Sequence, residues 1–288
     1  MSSSPTSDKP GRHDRMLARY GFGLFSLPRY AEAKGQGWHL RHHLPSMSEG
    51  YLTQSFVEGN RCVLYQGRIP WMSTGLFEVE SHAWHVHNAH GTVVAAGLGM
   101  GMYAYAVARR PEVTRLVVIE RDPRVVEVLE AAAGLSSWPD RGKISILLAD
   151  ALDEDLAAKV AEQTGGAEID SFYADIWPVT PDDTAPDQAK AMVERLKPKT
   201  AGWWGQEFNL GRWCLTNGRE LDQAAMADYF AEMSMPVPMT EGYLLFCQDL
   251  LAANRRYLEP RPVKPASERG VWSRLFHWGR LFRRNHGG

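Results

Sequence analysis

The chain predicts an α/β fold in which an open parallel sheet carries helices on both faces and follows a small N-terminal β-hairpin subdomain. From residue 91 onward, short apolar runs alternate with helical segments, the order of β-α-β units. The runs lack the period-two alternation of half-exposed strands, as expected for strands covered on both faces. Before residue 90 the chain instead breaks into short β-rich pieces at Gly59-Asn60 and Gly67.

In chain order, "MSSSPTSDKPGRHDR" (1–15) is polar and rich in Ser and Pro, which predicts a disordered tail and lacks the apolar core of a signal peptide. Residues 16–90 form the N-terminal hairpin and helical subdomain. Within it, "GYLTQSFVEGNRCVLYQGRI" reads as small hairpins and "GLFEVESHAWHVHNAH" (75–90) as a helix. Residues 91–255 form the main domain. There "GTVVAAGLG" is a buried strand, "MYAYAVARR" a helix, "RLVVIERD" a strand, "PRVVEVLEAAAG" a helix opened by Pro123, and "KISILLAD" a strand. "IDSFYADIW" and "AGWWGQEF" continue the sheet, and "EGYLLFCQDLL" is expected as its late strand.

Residues 256–288 comprise a Pro-rich linker and the basic amphipathic segment "GVWSRLFHWGRLFRRN". Trp272, Leu275, Phe276, Leu281 and Phe282 can share one helical face beside Arg274, Arg280, Arg283 and Arg284. Such a segment suits peripheral contact with an anionic membrane or a protein through 271–284.

With 32 basic and 34 acidic side chains the net charge is -2, so nucleic acid is not an expected partner. The three cysteines, Cys62, Cys214 and Cys247, are far apart, which argues against a disulfide framework or structural zinc and for a cytoplasmic protein. No apolar run approaches the roughly 20 residues that span a bilayer.

Chemistry concentrates at three strand ends. Gly97, Gly99 and Gly101 follow the first strand and open a helix, where absent side chains let a ligand approach the backbone. Glu120, followed by Arg121, ends the second strand, where an acid can bond both hydroxyls of a ribose, and Asp150-Ala151 ends the third, beside an expected adenine. Together they predict an adenosine-containing ligand. The GxGxG spacing suits S-adenosylmethionine better than a dinucleotide.

The chain resembles the class I S-adenosylmethionine-dependent methyltransferase superfamily and, within it, the spermidine synthase-like (polyamine synthase) branch. "RCVLYQGRIPW", "VVAAGLGMG", "VVIERDP", "LLADA", "YADIWP", "GWWGQEF" and "MPVPMTEGYLLFC" stand in the family's order between about Tyr51 and Gln248. The resemblance implies a Rossmann-like sheet, an S-adenosylmethionine-type donor and a homodimer. It also implies a catalytic Asp175, with Trp177, Gln206, Glu207 and Glu80 in contact with the acceptor.

Three departures accompany it. Met100 stands where aminopropyl transferases carry an acid in the glycine loop. Pro178 replaces the second acid of their D-x-x-D-P, and Pro236-Val237-Pro238 lacks their tyrosine. A dicationic diamine needs opposed carboxylates, because an unpaired buried ammonium costs several kcal/mol. The expected reaction is therefore methyl transfer from S-adenosylmethionine to a small-molecule or peptide acceptor, leaving S-adenosylhomocysteine, with Asp175 orienting the acceptor or accepting its proton. The alternatives are an aminopropyl or alkyl transferase and an inactive nucleoside-binding scaffold. His82, His85, His87 and His90 crowd one segment, but no carboxylate or Cys run accompanies them and no metal is expected.

Overall fold

A computed structural model of the chain describes residues 11–53 and 55–258. The first part comprises helix α1 (Arg12–Tyr20) and strands β1 (Ala33–Lys34), β2 (Trp38–His43), β3 (Ser46–Ser48), β4 (Phe56–Glu58), β5 (Arg61–Gln66) and β6 (Ile69–Ser73). Helix α2 (Leu76–Asn88) leads into the main sheet. That sheet is built by β7 (Gly91–Ala96), α3 (Met102–Ala108), β8 (Val113–Glu120), α4 (Pro123–Ala133), β9 (Ile144–Leu148), α5 (Leu156–Thr164), β10 (Ser171–Ala174), α6 (Ala185–Leu196) and β11 (Thr200–Trp203). Three helices close the described chain: α7 (Gln206–Thr216), α8 (Gln223–Glu232) and α9 (Glu241–Ala253).

The main sheet is parallel throughout, in the order β11-β10-β7-β8-β9. It divides the core in two. Val94, Ala96, Val117, Ile119, Phe172, Ala174 and Trp203 pack on one face, while Val93, Ala95, Leu116, Val118 and Tyr173 pack on the other. Period two exists in these strands but is invisible in the sequence, because both faces are apolar. Burying each such Val or Leu contributes about 1.5–3 kcal/mol. This is the open, doubly wound Rossmann-like arrangement, with the strand order reversing between β7 and β10.

Local signals set the boundaries. Asp122 caps α4 by accepting the Arg124 N–H at 3.0 Å, Pro123 supplies its first turn, and the Gly134 N–H closes it on the Glu130 carbonyl at 2.9 Å. The N-terminal strands form a separate antiparallel sheet, β1-β2-β5-β6, whose first two strands pack on α4. The Trp38 indole N–H donates to Asp122 Oδ2 at 2.8 Å, and the Ala31 N–H to the Ala132 carbonyl at 2.7 Å.

Three expectations need correction. Helix α1 starts at Arg12, inside the stretch expected to be a disordered tail, because Met16 and Tyr20 bury an apolar face while Arg19 and Tyr20 bond Asp249. Gly67 does turn a hairpin, β5 to β6, but Gly59-Asn60 joins strands of different sheets, since β4 pairs with β3. The stretch "EGYLLFCQDLL", expected as a strand, is helix α9. Tyr243, Phe246, Cys247, Leu250 and Leu251 recur at helical spacing on its buried face, and Thr240 caps it by accepting the Tyr243 N–H at 3.1 Å. The basic amphipathic segment expected at 271–284 lies outside the described residues. Among the described residues no helix is long and apolar enough to cross a membrane, and all three cysteines are free and buried.

Candidate active site

Where the strand order of an open parallel sheet reverses, the flanking connections diverge and leave a crevice at the carboxyl ends of the strands. Here β7 and β10 run in register to Ala96 and Ala174, and the next residues are Gly97 and Asp175. The Asp175 N–H bonds the Ala96 carbonyl at 2.8 Å. A Cβ on Gly97, whose φ is +97°, would lie 2.0 Å from the Asp175 carbonyl oxygen, so any side chain there would force the two strand tips apart.

The rest of the glycine loop is also packed against the chain itself. A Cβ on Gly99 (φ +51°) would lie 2.3 Å from Met72 Sδ on β6, and that sulfur accepts the Met100 N–H at 3.0 Å. Tyr30 donates its hydroxyl to the Met100 carbonyl at 2.7 Å, and Gly101 leaves room for the Trp138 ring. Met100, expected to stand in an acid's place at the donor's amine end, is thus fully buried against the N-terminal sheet.

Glu120 ends β8 half-buried. Its Oε2 accepts the Leu98 N–H at 3.1 Å and its Oε1 the Asp122 N–H at 2.8 Å. Each carboxylate oxygen has two lone pairs, so each retains one acceptor site. Glu120 pairs in register with Leu148 at the end of β9. Just beyond, Asp150 Oδ1 accepts the Leu152 N–H at 2.9 Å, Ala151 is buried, and Arg121 is exposed.

Asp175 meets a residue from a different element. His82 Nε2, on the buried face of α2, lies 3.0 Å from Asp175 Oδ2, and the Asp175 side chain keeps 19% of its surface exposed. His82 Nδ1 lies 2.6 Å from the Glu78 carbonyl, which only accepts, so Nδ1 carries a proton. Burial pulls the His82 pKa down, but the Asp175 hydrogen bond and charge, with the charge of Glu78, outweigh it and raise the pKa above the usual histidine value. The Glu78 carboxyl is itself pushed up to about 8, chiefly by burial. It takes the Ser73 backbone N–H, and its Oε1 has no partner among the described residues.

One turn further along α2 the balance reverses. His85 stacks on Tyr173 with ring centroids 4.3 Å apart, and burial, with the like charge of His82, holds its pKa well below the usual value. Its Nε2 lies 3.9 Å from Glu207 Oε1, and neither that nitrogen nor the Tyr173 hydroxyl has a hydrogen-bond partner among the described residues. A cavity of about 20 Å³, lined by both residues, has room for one bridging water. His87 lies against Phe22 and Trp84, and His90 bonds Ser171. Among the described residues no three His, Cys, Asp or Glu side chains gather as a metal site.

The four expected acceptor contacts are buried and engaged by other partners. Gln206 and Glu207 open α7 and are fully buried: Glu207 accepts from Tyr51 and Tyr243 at 2.8 Å each, and Gln206 accepts the Trp203 N–H at 3.0 Å while donating to Tyr243. Burial raises the Glu207 pKa despite its tyrosine partners. Trp177 is buried in the core with its indole N–H on Gln188 Oε1 at 2.7 Å. Glu80 is buried, pairing with Arg12 at 2.5 Å and accepting the Leu52 N–H at 2.9 Å. The arrangement therefore gathers Gly97, Asp175 and Glu120 at one sheet edge and adds His82, Glu78 and Met72, which sequence reasoning missed. The i, i+4 spacing of Glu78 and His82 is legible, but nothing in it says that α2 crosses the tip of β10.

No protein-family description matches the chain, and no curated protein does. Among solved structures, the chain is similar to a spermidine synthase bound to the transition-state analogue AdoDATO, at 14% identity with a TM-score of 0.32. It is also similar to the spermidine synthase of Thermotoga maritima, at 15% identity with the same TM-score. Each match covers 63% of this chain, and it spans only 57% and 58% of those two chains.

Proposed function

We propose that the protein is an S-adenosylmethionine-dependent methyltransferase acting on a small-molecule or peptide acceptor. The observation that supports this reading is the convergence, at the β7/β10 switch point, of the Gly97 turn and a partly exposed Asp175, with Glu120 at the next strand end. The sugar end of such a donor fits the residues present, because Glu120 keeps one acceptor site on each oxygen for the ribose hydroxyls. Arg121, Asp150 and Ala151 border the same edge. At the loop end, Met72 holds the Met100 N–H, but a thioether is a weak acceptor on an adaptable side chain and yields to an anionic group.

A sulfonium nucleoside, when bound, supplies an electrophilic methyl group and a neutral thioether as leaving group. Little covalent help is then needed from the chain, which must orient the acceptor and exclude water. Asp175 serves the first need and adds a second role: partly exposed at the crevice, it orients the acceptor and takes its proton.

One observation favours a second reading, a nucleoside-binding scaffold without turnover. Met72 and Tyr30 engage the polar groups of Met100 in the glycine loop. The aminopropyl-transferase reading is weakened by the pairing of Asp175 with His82 and by Pro178 in the place of a second acid.

The test is to incubate the purified protein with S-adenosylmethionine, or separately with its decarboxylated form, in the presence of a small-molecule extract. Release of S-adenosylhomocysteine is expected. Release of methylthioadenosine from the decarboxylated donor would favour alkyl transfer, and donor binding without either product would favour the scaffold.

A further inference from the structure

His82 and Asp175 come from segments 93 residues apart in the chain and meet at 3.0 Å where the crevice opens. The proton on Nδ1 is fixed by the Glu78 carbonyl at 2.6 Å, with Ser81 Oγ 3.2 Å away. Ser81 is itself anchored, donating to the same carbonyl and accepting the Trp204 indole N–H at 2.9 Å. Fixing Nδ1–H leaves Nε2 to interact with the carboxylate, and the partners decide the charge of the ring.

Every titratable group facing the imidazole can be named. Glu78 precedes it by one turn on α2, and Asp175 closes on it from the end of β10. Tyr173, also on β10, stands edge-on with ring centroids 5.6 Å apart. His85 follows on α2 and stays neutral, and Glu207, at the start of α7, is near enough to feel the ring's charge. Acids outnumber bases in this surround, while Arg12, which reaches the same helix, is paired with Glu80.

Resting on the methyltransferase reading, we infer that His82 is a positioning residue: an imidazolium whose Nε2–H bonds Asp175 Oδ2 and aims it at the crevice, so that the site presents an already paired carboxylate and takes an uncharged O–H or N–H acceptor. An ammonium brought to Asp175 would find the carboxylate already compensated and a second cation behind it. Burying it there without a further anion is unfavourable. An uncharged acceptor needs only the free lone pairs of the carboxylate. Its proton passes to Asp175.

The experiment uses the full chain labelled with 15N-histidine, with the His82 ring assigned by its absence in His82→Gln. At pH 7.5 the wild type should show both His82 nitrogens protonated, and Asp175→Asn should convert the ring to the neutral form protonated on Nδ1. A neutral ring in the wild type, or an unchanged signal in Asp175→Asn, would overturn the proposal. Should His82→Gln fold poorly, His82→Asn supplies the assignment, and Asp175→Asn itself keeps a hydrogen-bonding side chain. In parallel, 1,4-diaminobutane is titrated into protein saturated with S-adenosylhomocysteine. No binding up to millimolar concentration is expected, and sub-millimolar binding would overturn the uncharged-acceptor assignment. Should His82 behave as stated while S-adenosylhomocysteine itself fails to bind, the donor reading falls and the ion pair stands supported.

Discussion

Asp175 and Glu207 both follow strands of the same sheet, and both carry an acidic side chain expected to face a ligand, yet the fold treats them oppositely. Glu207 opens a helix beneath two tyrosines and is fully buried, with one tyrosine hydroxyl on each oxygen. Asp175 keeps part of its surface exposed and has one side-chain partner, which is ionisable. The difference teaches that a strand end supplies only position. Whether a carboxylate there does chemistry depends on what the neighbouring elements leave unfilled around it. Glu207 is committed to the core, and Asp175 is held ready at its edge.

The largest effect that sharpens this contrast is on turnover. Asp175→Asn should lower S-adenosylhomocysteine release by about 10²–10⁴-fold, the usual worth of a positioned base, while costing less stability than the loss of Glu207, because Asn keeps a hydrogen-bonding group beside His82. Retained turnover across pH would remove Asp175 from the mechanism. Glu207→Ala should do the reverse, costing about 2–4 kcal/mol in urea unfolding, because the Tyr51 and Tyr243 hydroxyls lose their acceptor inside the core. A fully stable Glu207→Ala that had lost turnover would erase the contrast.

A smaller effect appears in the pH dependence of stability. Glu78 is ordinary in the unfolded chain and pushed up to about 8 when folded, so the folded state binds the extra proton between the two values. Stability from this group is therefore fully present near pH 4.5 and declines as pH rises towards 8. His82, also raised, adds loss of the same sign above the usual histidine pKa. Denaturation midpoints measured from pH 5 to 9 should fall with pH, and Glu78→Gln should flatten the slope. The smallest effect belongs to Met72→Ala, which frees the Met100 N–H and opens the space over Gly99. Affinity for S-adenosylhomocysteine should rise severalfold, and weaker binding would mean that Met72 supports the ligand instead of competing with it.

Much of the fold was legible because its strands are short apolar runs bounded by Gly, Asp and Pro, and those signals are local. Helix α9 was misread because "YLLFC" is a short apolar run whose helical period shows only when Leu250 and Leu251 are included. The Gly97 and Glu120 positions could be read from strand ends, and Asp175 came from the family resemblance. Glu80, Gln206 and Glu207 were placed beside the acceptor, although their partners, Arg12, Leu52, Tyr51 and Tyr243, are contributed by other elements. His82 was hidden for the same reason: a histidine in a crowded run reveals nothing about the strand tip it meets.

The central claim is that the edge formed by Gly97 and Glu120 binds a sulfonium nucleoside. Calorimetric titration of S-adenosylhomocysteine into ligand-free wild type and Glu120→Ala tests it most directly. Saturable binding by the wild type, weakened at least tenfold in Glu120→Ala, is the predicted result. No heat with the wild type, or equal affinity in the two proteins, would contradict it.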